Sequence, residues 1–344
     1  MAEPNGLEQL KRHLKLNEPA RLYVFHGEEA YLRTHYLGQL HKLLVEDFAE
    51  AFNFHRFNAA TINPQKLGDS INAAPMMAQH SMVQVDDFNF FGAGEDGNAY
   101  AKVLSDIPDF CTVVLVYETV EFKEDKRKKA LTEAFSRAVV VDFKQPQERE
   151  LVVWIGRHLK KYQKQITNND AAYLIRRTGG NMSTLLGEID KLGTYAAQQV
   201  VTRQDIDLLV EPVLEAETFD LSDAICAGRY DTALAKLEIL LQKLKPDDYT
   251  LILGAISTQM RRSLTAKRLL SAGKNQQDLM KLCGIQSYPA QKTMEYARRL
   301  PERFWEGSME LCLTADTQMK TTYDDTKRIL ELLVLRLAME ARRG

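Results

Sequence analysis

Apolar and polar positions follow two rhythms along the chain, and the change between them falls near residue 145. Before it, short runs rich in β-branched and aromatic residues recur: Leu22 to Phe25, FNFHRF at 52–57, Met82 to Val85, Thr112 to Tyr117 and Val139 to Phe143. Between them stand stretches with helical spacing, Ala30 to Phe48, Pro64 to Ala74 and Asp125 to Arg137. Strands alternating with helices predict a parallel sheet covered on both faces. The segment FFGAGEDGNAY at 90–100, with its three glycines and two acids, reads as a surface loop.

After Gln145-Pro146 the strand signal disappears. Gln147 to Lys164 sets Leu151, Val152, Ile155 and Leu159 on one helical face, and Thr167 with Asp170 caps a second helix that ends at Gly179-Gly180. Ser183 to Tyr195 forms a third, and Thr202 with Asp205 starts a fourth that ends near Val210. From Phe219 onward the pattern is all helix, with breaks at Lys245-Pro246, Ser271 to Lys274, Ser287 to Pro289 and Leu300-Pro301. The last helix, Thr326 to Arg342, carries Ile329, Leu330, Leu332, Leu333, Val334, Leu335 and Leu337 around most of its circumference. It is expected to be buried on nearly all sides. The chain thus divides into three parts: an α/β core at 1–145, a helical bundle at 146–211 and an all-α domain at 212–344.

The segment RLYVFHGEEAYLR at 21–33 is a hydrophobic strand turning through one glycine into a helix, where a phosphate-binding loop would sit. Such a loop needs glycines whose N–H groups face phosphate, a lysine, and a Ser or Thr for magnesium. His26, Gly27, Glu28 and Glu29 supply none of these beyond the glycine, and two carboxylates at a helix N-terminus repel a triphosphate. MVQVDD at 82–87 has the outline of a magnesium-positioning strand but no phosphate loop to serve, so its acids read as solvated carboxylates at a strand end.

In AAPMMAQHS, 73–81, the adjacent Met76 and Met77 point in different directions, so one is expected to be exposed; core packing and a partner-binding tip are both open. Lys126, Arg127, Lys128 and Lys129 open the helix after the fourth strand, against its dipole, which suits an external phosphate; pairing with Glu121, Glu124 and Asp125 is the alternative. Phe135-Ser136-Arg137-Ala138 lies where ring ATPases carry an arginine that reaches a neighbour's nucleotide, or is simply a helix-ending cation.

Lys plus Arg at 45 against Asp plus Glu at 47 leaves a net charge of −2, so nucleic-acid contact would have to come from a local patch. Cys111, Cys226, Cys283 and Cys312 lie at least 29 residues apart and fit reduced thiols rather than a metal site. No apolar run is long enough for a membrane span, and a cytoplasmic location is expected. No catalytic constellation and no cofactor site can be assembled.

Taken in order, YVFHGEEAYL (23–32), PMMAQHSMVQV (75–85), VVLVYETVEFKEDKRKKALTEAF (113–135), GGNMSTLLGEIDKLGTYA (179–196), FDLSDAICAGRYDTALAKLEILL (219–241) and LCLTADTQMKTTYDD (311–325) resemble the bacterial DNA polymerase III delta-subunit family. The resemblance implies an AAA+-like core whose P-loop is degenerate, a helical lid and a C-terminal helical collar. It implies a non-catalytic clamp-loader subunit of a DNA-directed DNA polymerase complex, acting in DNA replication. The beta sliding clamp is the implied partner, and ATPase and delta-prime subunits join through the collar, with primer-template DNA within the complex. On this resemblance Met76 and Met77 stand where the family carries its clamp-contacting pair, often Leu-Phe, and Ser183 stands where active relatives carry an ATP-sensing arginine. Lys126 to Lys129 become candidates for DNA contact. The alternative is an ATP-hydrolysing loader or initiator-type subunit.

Overall fold

The structure is a computed structural model and describes residues 5–285, 287–321 and 325–343; residues 322–324 of the last matching stretch lie outside these. The chain forms two compact units that meet in sequence at Pro146 and Gln147.

The first unit holds β1 (Leu22–His26), β2 (Phe54–Asn58), β3 (Ser81–Asp86), β4 (Cys111–Val116) and β5 (Val139–Asp142) in the order β2-β3-β4-β1-β5. Every pairing is parallel, with Leu22 opposite Val113, Tyr23 opposite Val139 and Met82 opposite Thr112. Side chains of a strand alternate between faces, so each strand feeds two cores. One holds Leu22, Val24, Val83, Val113 and Leu115; the other holds Tyr23, Phe25, Met82, Val114 and Val116. This explains why β4, CTVVLV, is buried at all six positions.

Helices α1 (Gly6–Leu16) and α2 (Ala30–Leu44) cover the second face, α2 being followed by a 3-10 turn at Asp47–Ala49 and the short α3 (Glu50–Asn53). Helices α4 (Pro64–Asn72), α5 (Gly97–Ser105) and α6 (Lys129–Phe135) cover the first. Three features differ from the sequence expectations. Helix α1, unread in the sequence, docks on β5 so closely that a Cβ on Gly6 would lie 1.9 Å from the Val140 carbonyl oxygen. The glycine-rich 90–100 segment is no surface loop: Phe90, Phe91 and Tyr100 are buried, with Phe90 5.3 Å from the Tyr100 ring and Phe91 5.1 Å from the Phe135 ring. Its aromatic residues outweigh its glycines, and Gly97 opens α5. Helix α6 begins only at Lys129, because Asp125 turns the preceding chain by accepting from the Arg127 N–H at 3.1 Å.

The second unit contains α7 (Glu148–Leu159), α8 (Asn168–Arg177), α9 (Met182–Tyr195) and α10 (Arg203–Leu209). The Thr167 hydroxyl accepts from the Asp170 N–H at 3.1 Å, and Thr202 and Asp205 cap each other reciprocally. A two-stranded parallel pairing also appears here, β6 (Gln165–Ile166) with β7 (Val200–Val201), too short to leave a strand pattern. The rest is α11 (Leu214–Cys226), α12 (Tyr230–Lys243), α13 (Tyr249–Ser271), α14 (Gln276–Cys283), α15 (Ser287–Arg299), α16 (Glu302–Thr321) and α17 (Thr326–Arg343). The break expected at Ser287 to Pro289 falls earlier, at Gly284, whose left-handed φ of 62° ends α14, and Ser287 already begins α15.

Trp305 and Phe304 are buried at the centre of the main helical core, among Leu221, Leu237, Ile256 and Leu333. Arg176 of α8 lies over the rings of Tyr173, Phe219 and Tyr288 at 5.0, 5.5 and 4.3 Å, fastening α8 to α11 and α15. The last helix is not buried all round. Ile329, Leu330, Leu333, Val334 and Leu337 enter the core, whereas Leu332, Leu335 and Met339 form an exposed stripe opposite. The helix lies at the periphery of its bundle, as chain termini commonly do.

The docking of α1 yields a direct check. Gly6→Ala is expected to destabilise the chain by about 1–3 kcal/mol, because the Val140 carbonyl must retreat. Thermal unfolding followed by circular dichroism should show a lower midpoint for Gly6→Ala and none for Leu16→Ala at the exposed end of the same helix.

Candidate functional site

In an open parallel sheet, ligands bind beyond the carboxyl ends of the strands, where the strand order reverses. Here that place is the end of β1, between β4 and β5. An open cleft of about 720 Å³ lies there, lined among others by His26, Gly27, Glu28, Glu118, Glu121, Asp142 and Lys144. Its turn is closed from within. Gly27 has φ 116°, and a Cβ there would lie 2.6 Å from the Phe143 backbone, so only glycine fits. The Phe143 N–H donates to the His26 carbonyl at 2.7 Å, and the Glu29 N–H donates to the Phe143 carbonyl at 2.9 Å.

The start of α2 is likewise occupied by its own chain. Glu29, buried, accepts from the Tyr31 N–H at 3.1 Å. Burial pushes its carboxyl up, and the Tyr31 N–H and Arg33 pull it back. Arg33, itself buried, donates from Nη1 to the Gly27 carbonyl at 2.8 Å and sets Nη2 3.3 Å from Glu118 Oε1. Of the cations at the cleft, Lys144 lies 3.3 Å from Asp142, and burial holds the His26 imidazole below its ordinary range despite Asp142 nearby. Glu28, Glu118 and Glu121 add further negative charge.

The acids at the end of β3 are not simply solvated. Asp86 pairs with Arg56 and accepts from Gln84 Nε2 at 2.7 Å. Asp87, with a left-handed φ of 48°, accepts from the N–H groups of Glu118, Thr119 and Val120 at 2.7, 2.9 and 3.2 Å and from the Thr119 hydroxyl at 2.9 Å. Burial pushes the Asp87 carboxyl up, but these four bonds outweigh it and hold the group below the usual carboxylate range. A carboxylate in the position of a magnesium ligand is here a staple for the loop after β4.

Met76 and Met77 occupy the loop between α4 and β3, and both are exposed, by 52% and 82%. The loop is not slack. Asn53, the last residue of α3 and fully buried, accepts from the Met76 N–H at 2.8 Å and donates through Nδ2 to the Met76 carbonyl at 2.9 Å. Met77 follows at φ 55°, a left-handed conformation that costs an L residue roughly 1–2 kcal/mol. The side-chain amide therefore mimics a strand partner for one residue of the tip. Asn53 fell inside a segment read as strand; its polarity between Phe52 and Phe54 was the available signal.

The basic run does not crowd a helix N-terminus. Lys126 and Arg127 precede α6 altogether, Lys128 is its cap residue and Lys129 its first residue. Arg127 pairs with Asp125 at 2.8 Å and Lys123 with Glu121 at 2.6 Å, while Lys126, Lys128 and Lys129 have no ion pair among the described residues. Arg137 donates to the Ser105 carbonyl at 3.3 Å, at the end of the neighbouring helix. Ser183, in the first turn of α9, is exposed. No cluster of metal-ligating side chains occurs among the described residues, and none of their helices is long and apolar enough to cross a membrane.

Comparison with known proteins places this geometry. Residues 215–337 match the family described as DNA polymerase III delta subunit, C-terminal domain. The chain is 25% identical over 338 residues to DNA polymerase III subunit delta of Bacillus subtilis (strain 168), covering 95% of each chain. It is 22% identical over 330 residues to the probable DNA polymerase III subunit delta of Aquifex aeolicus (strain VF5), covering 93% of this chain and 92% of that one. The solved structure of the Bacillus subtilis DNA clamp loader delta protein superposes with a TM-score of 0.58 at 23% identity, over 97% of this chain and 99% of that one. The fold is therefore that of an AAA+-like clamp-loader protein with a helical C-terminal domain. The chain belongs to the DNA polymerase III delta-subunit family.

Asp87 gives a test of the closed cleft. Its folded-state pKa lies below the unfolded value of about 3.9. Its contribution to stability is thus fully present above that value and is lost as pH falls through the folded value. Asp87→Ala should cost about 1–3 kcal/mol at pH 7 through the unpaired N–H groups. Urea unfolding of the two proteins should converge as the pH falls below about 4.

Proposed function

We propose that this chain is the subunit of a clamp loader that grips the sliding clamp, and that Met76 and Met77 are its grip. The observation that carries the reading is the tip itself: two exposed methionines on a backbone fixed by a buried amide. An exposed apolar pair is costly to leave in water unless something covers it, and methionine adapts its shape to a preformed pocket. Each side chain fully buried there would contribute about 1.5–3 kcal/mol. Such a pair favours an open clamp only as far as it binds the open form more tightly than the closed one.

In this reading the chain does not hydrolyse ATP. The closed Gly27 turn, the internal Glu29 cap and the surrounding carboxylates support that part, since a triphosphate would have to displace Arg33 and face Glu28, Glu118 and Glu121. ATP would then be handled by neighbouring subunits, joined through the C-terminal helices, where the stripe of Leu332, Leu335 and Met339 is available. Lys126, Lys128 and Lys129 offer unpaired charge to primer-template DNA within the assembled complex, Arg127 being engaged by Asp125.

Met76→Ala combined with Met77→Ala should weaken binding to the sliding clamp of the same organism about a hundredfold or more, with assembly into the loader unchanged. Surface plasmon resonance on immobilised clamp measures the first, and gel filtration with the ATPase subunits the second; unchanged clamp affinity would refute the grip. Equilibrium dialysis with labelled ATP should give no saturable binding to the isolated chain. One site per chain would refute the division of labour.

A further inference from the structure

The side chain that fixes the tip lies outside the tip. Asn53 is separated from Met76 by 23 residues, is fully buried, and spends both faces of its amide on one residue: Oδ1 takes the Met76 N–H at 2.8 Å and Nδ2 reaches the Met76 carbonyl at 2.9 Å. A residue that bonds another's backbone in both directions defines its position and orientation without touching its side chain. Asn53 leaves the Met76 side chain free, and it anchors the residue immediately before the left-handed Met77.

We infer that Asn53 is the positioning residue of the clamp-gripping tip: it holds Met76 and Met77 in the binding geometry before any partner arrives. This rests on the reading of the two methionines as the grip and adds to it the source of their rigidity. The physical argument is one of preorganisation. A loop containing a left-handed non-glycine residue relaxes elsewhere unless surrounding structure over-determines it. In free solution this segment would have to be ordered at the moment of binding, at the expense of affinity. Two hydrogen bonds to an amide already buried in α3 meet that requirement during folding instead. The carbonyl and N–H that would otherwise pair along an extended edge are also satisfied, so the tip is an isolated apolar protrusion rather than a strand edge.

The inference has a local observable that does not depend on any variant: the Met76 amide donates to a buried acceptor, whereas nothing comparable holds Met77. Hydrogen exchange of the native full-length chain should show Met76 protected well above its neighbours in the loop, and a Met76 amide exchanging at the rate of an unstructured segment would overturn the inference. Asn53→Ala removes both bonds; Asn53→Asp keeps the acceptor and loses the donor. Met76 protection and clamp affinity should fall together, most in Asn53→Ala, by about tenfold or more in Kd, with Val83 and Val85 of β3 keeping their protection. An Asn53→Ala chain that exposes the Met76 amide yet binds clamp with native affinity overturns the positioning role and leaves the grip intact. Native affinity in the Met76→Ala, Met77→Ala double variant measured alongside overturns the grip itself, so the two failures are distinguishable.

Discussion

The positive end of α2 is satisfied by the chain that forms it, and much of the first unit follows from that constraint. A parallel sheet directs the N-terminus of the helix after β1 toward the cleft at the strand ends, where an unfilled helix start attracts anions. Glu29 fills it, Arg33 binds the turn to Glu118, and the Phe143 backbone closes it from the side of β5. Asp87 performs the same service for the loop after β4. The ends of β1, β3, β4 and β5 are thus held by side chains of this chain, so their arrangement needs no bound nucleotide to maintain it.

That internal closure has a mechanical consequence. A subunit whose cleft shape does not vary with nucleotide is a fixed arm, and any change in its orientation must be imposed by neighbours. A fixed arm is useful if its working surface is also fixed. The Asn53 amide gives the methionine tip that property on the same unit, using a buried polar group fully paired on both sides, the arrangement in which such groups specify geometry rather than merely cost free energy. The exposed stripe on α17 leaves the opposite domain with an apolar face suited to assembly.

All five strands were legible because a doubly covered parallel sheet demands nearly continuous apolar runs, and LYVF and TVVLV are such runs. Helix caps at Thr167 and Thr202 were legible because capping is a local bond between neighbours in sequence. What escaped is non-local or too small. Helix α1 is defined by one close approach at Gly6, and β6 and β7 have two residues each. FFGAGEDGNAY was misread because its glycine count was weighed above Phe90 and Phe91, which the core needs. The basic run was set on a helix start because Asp125 was counted as a helix residue instead of the turn that delays it. Met76 and Met77 stood out as an adjacent apolar pair, but Asn53, 23 residues away, could be linked to them only by the fold.

The central claim is that the methionine tip is what the clamp covers. The chain has 11 methionines, and at 39.2 kDa its methyl resonances are accessible to NMR. With methyl-labelled methionine, titration with the sliding clamp should shift and broaden the Met76 and Met77 signals first and leave the buried Met82, Met260 and Met294 in place. Clamp binding with Met76 and Met77 unperturbed would contradict the account.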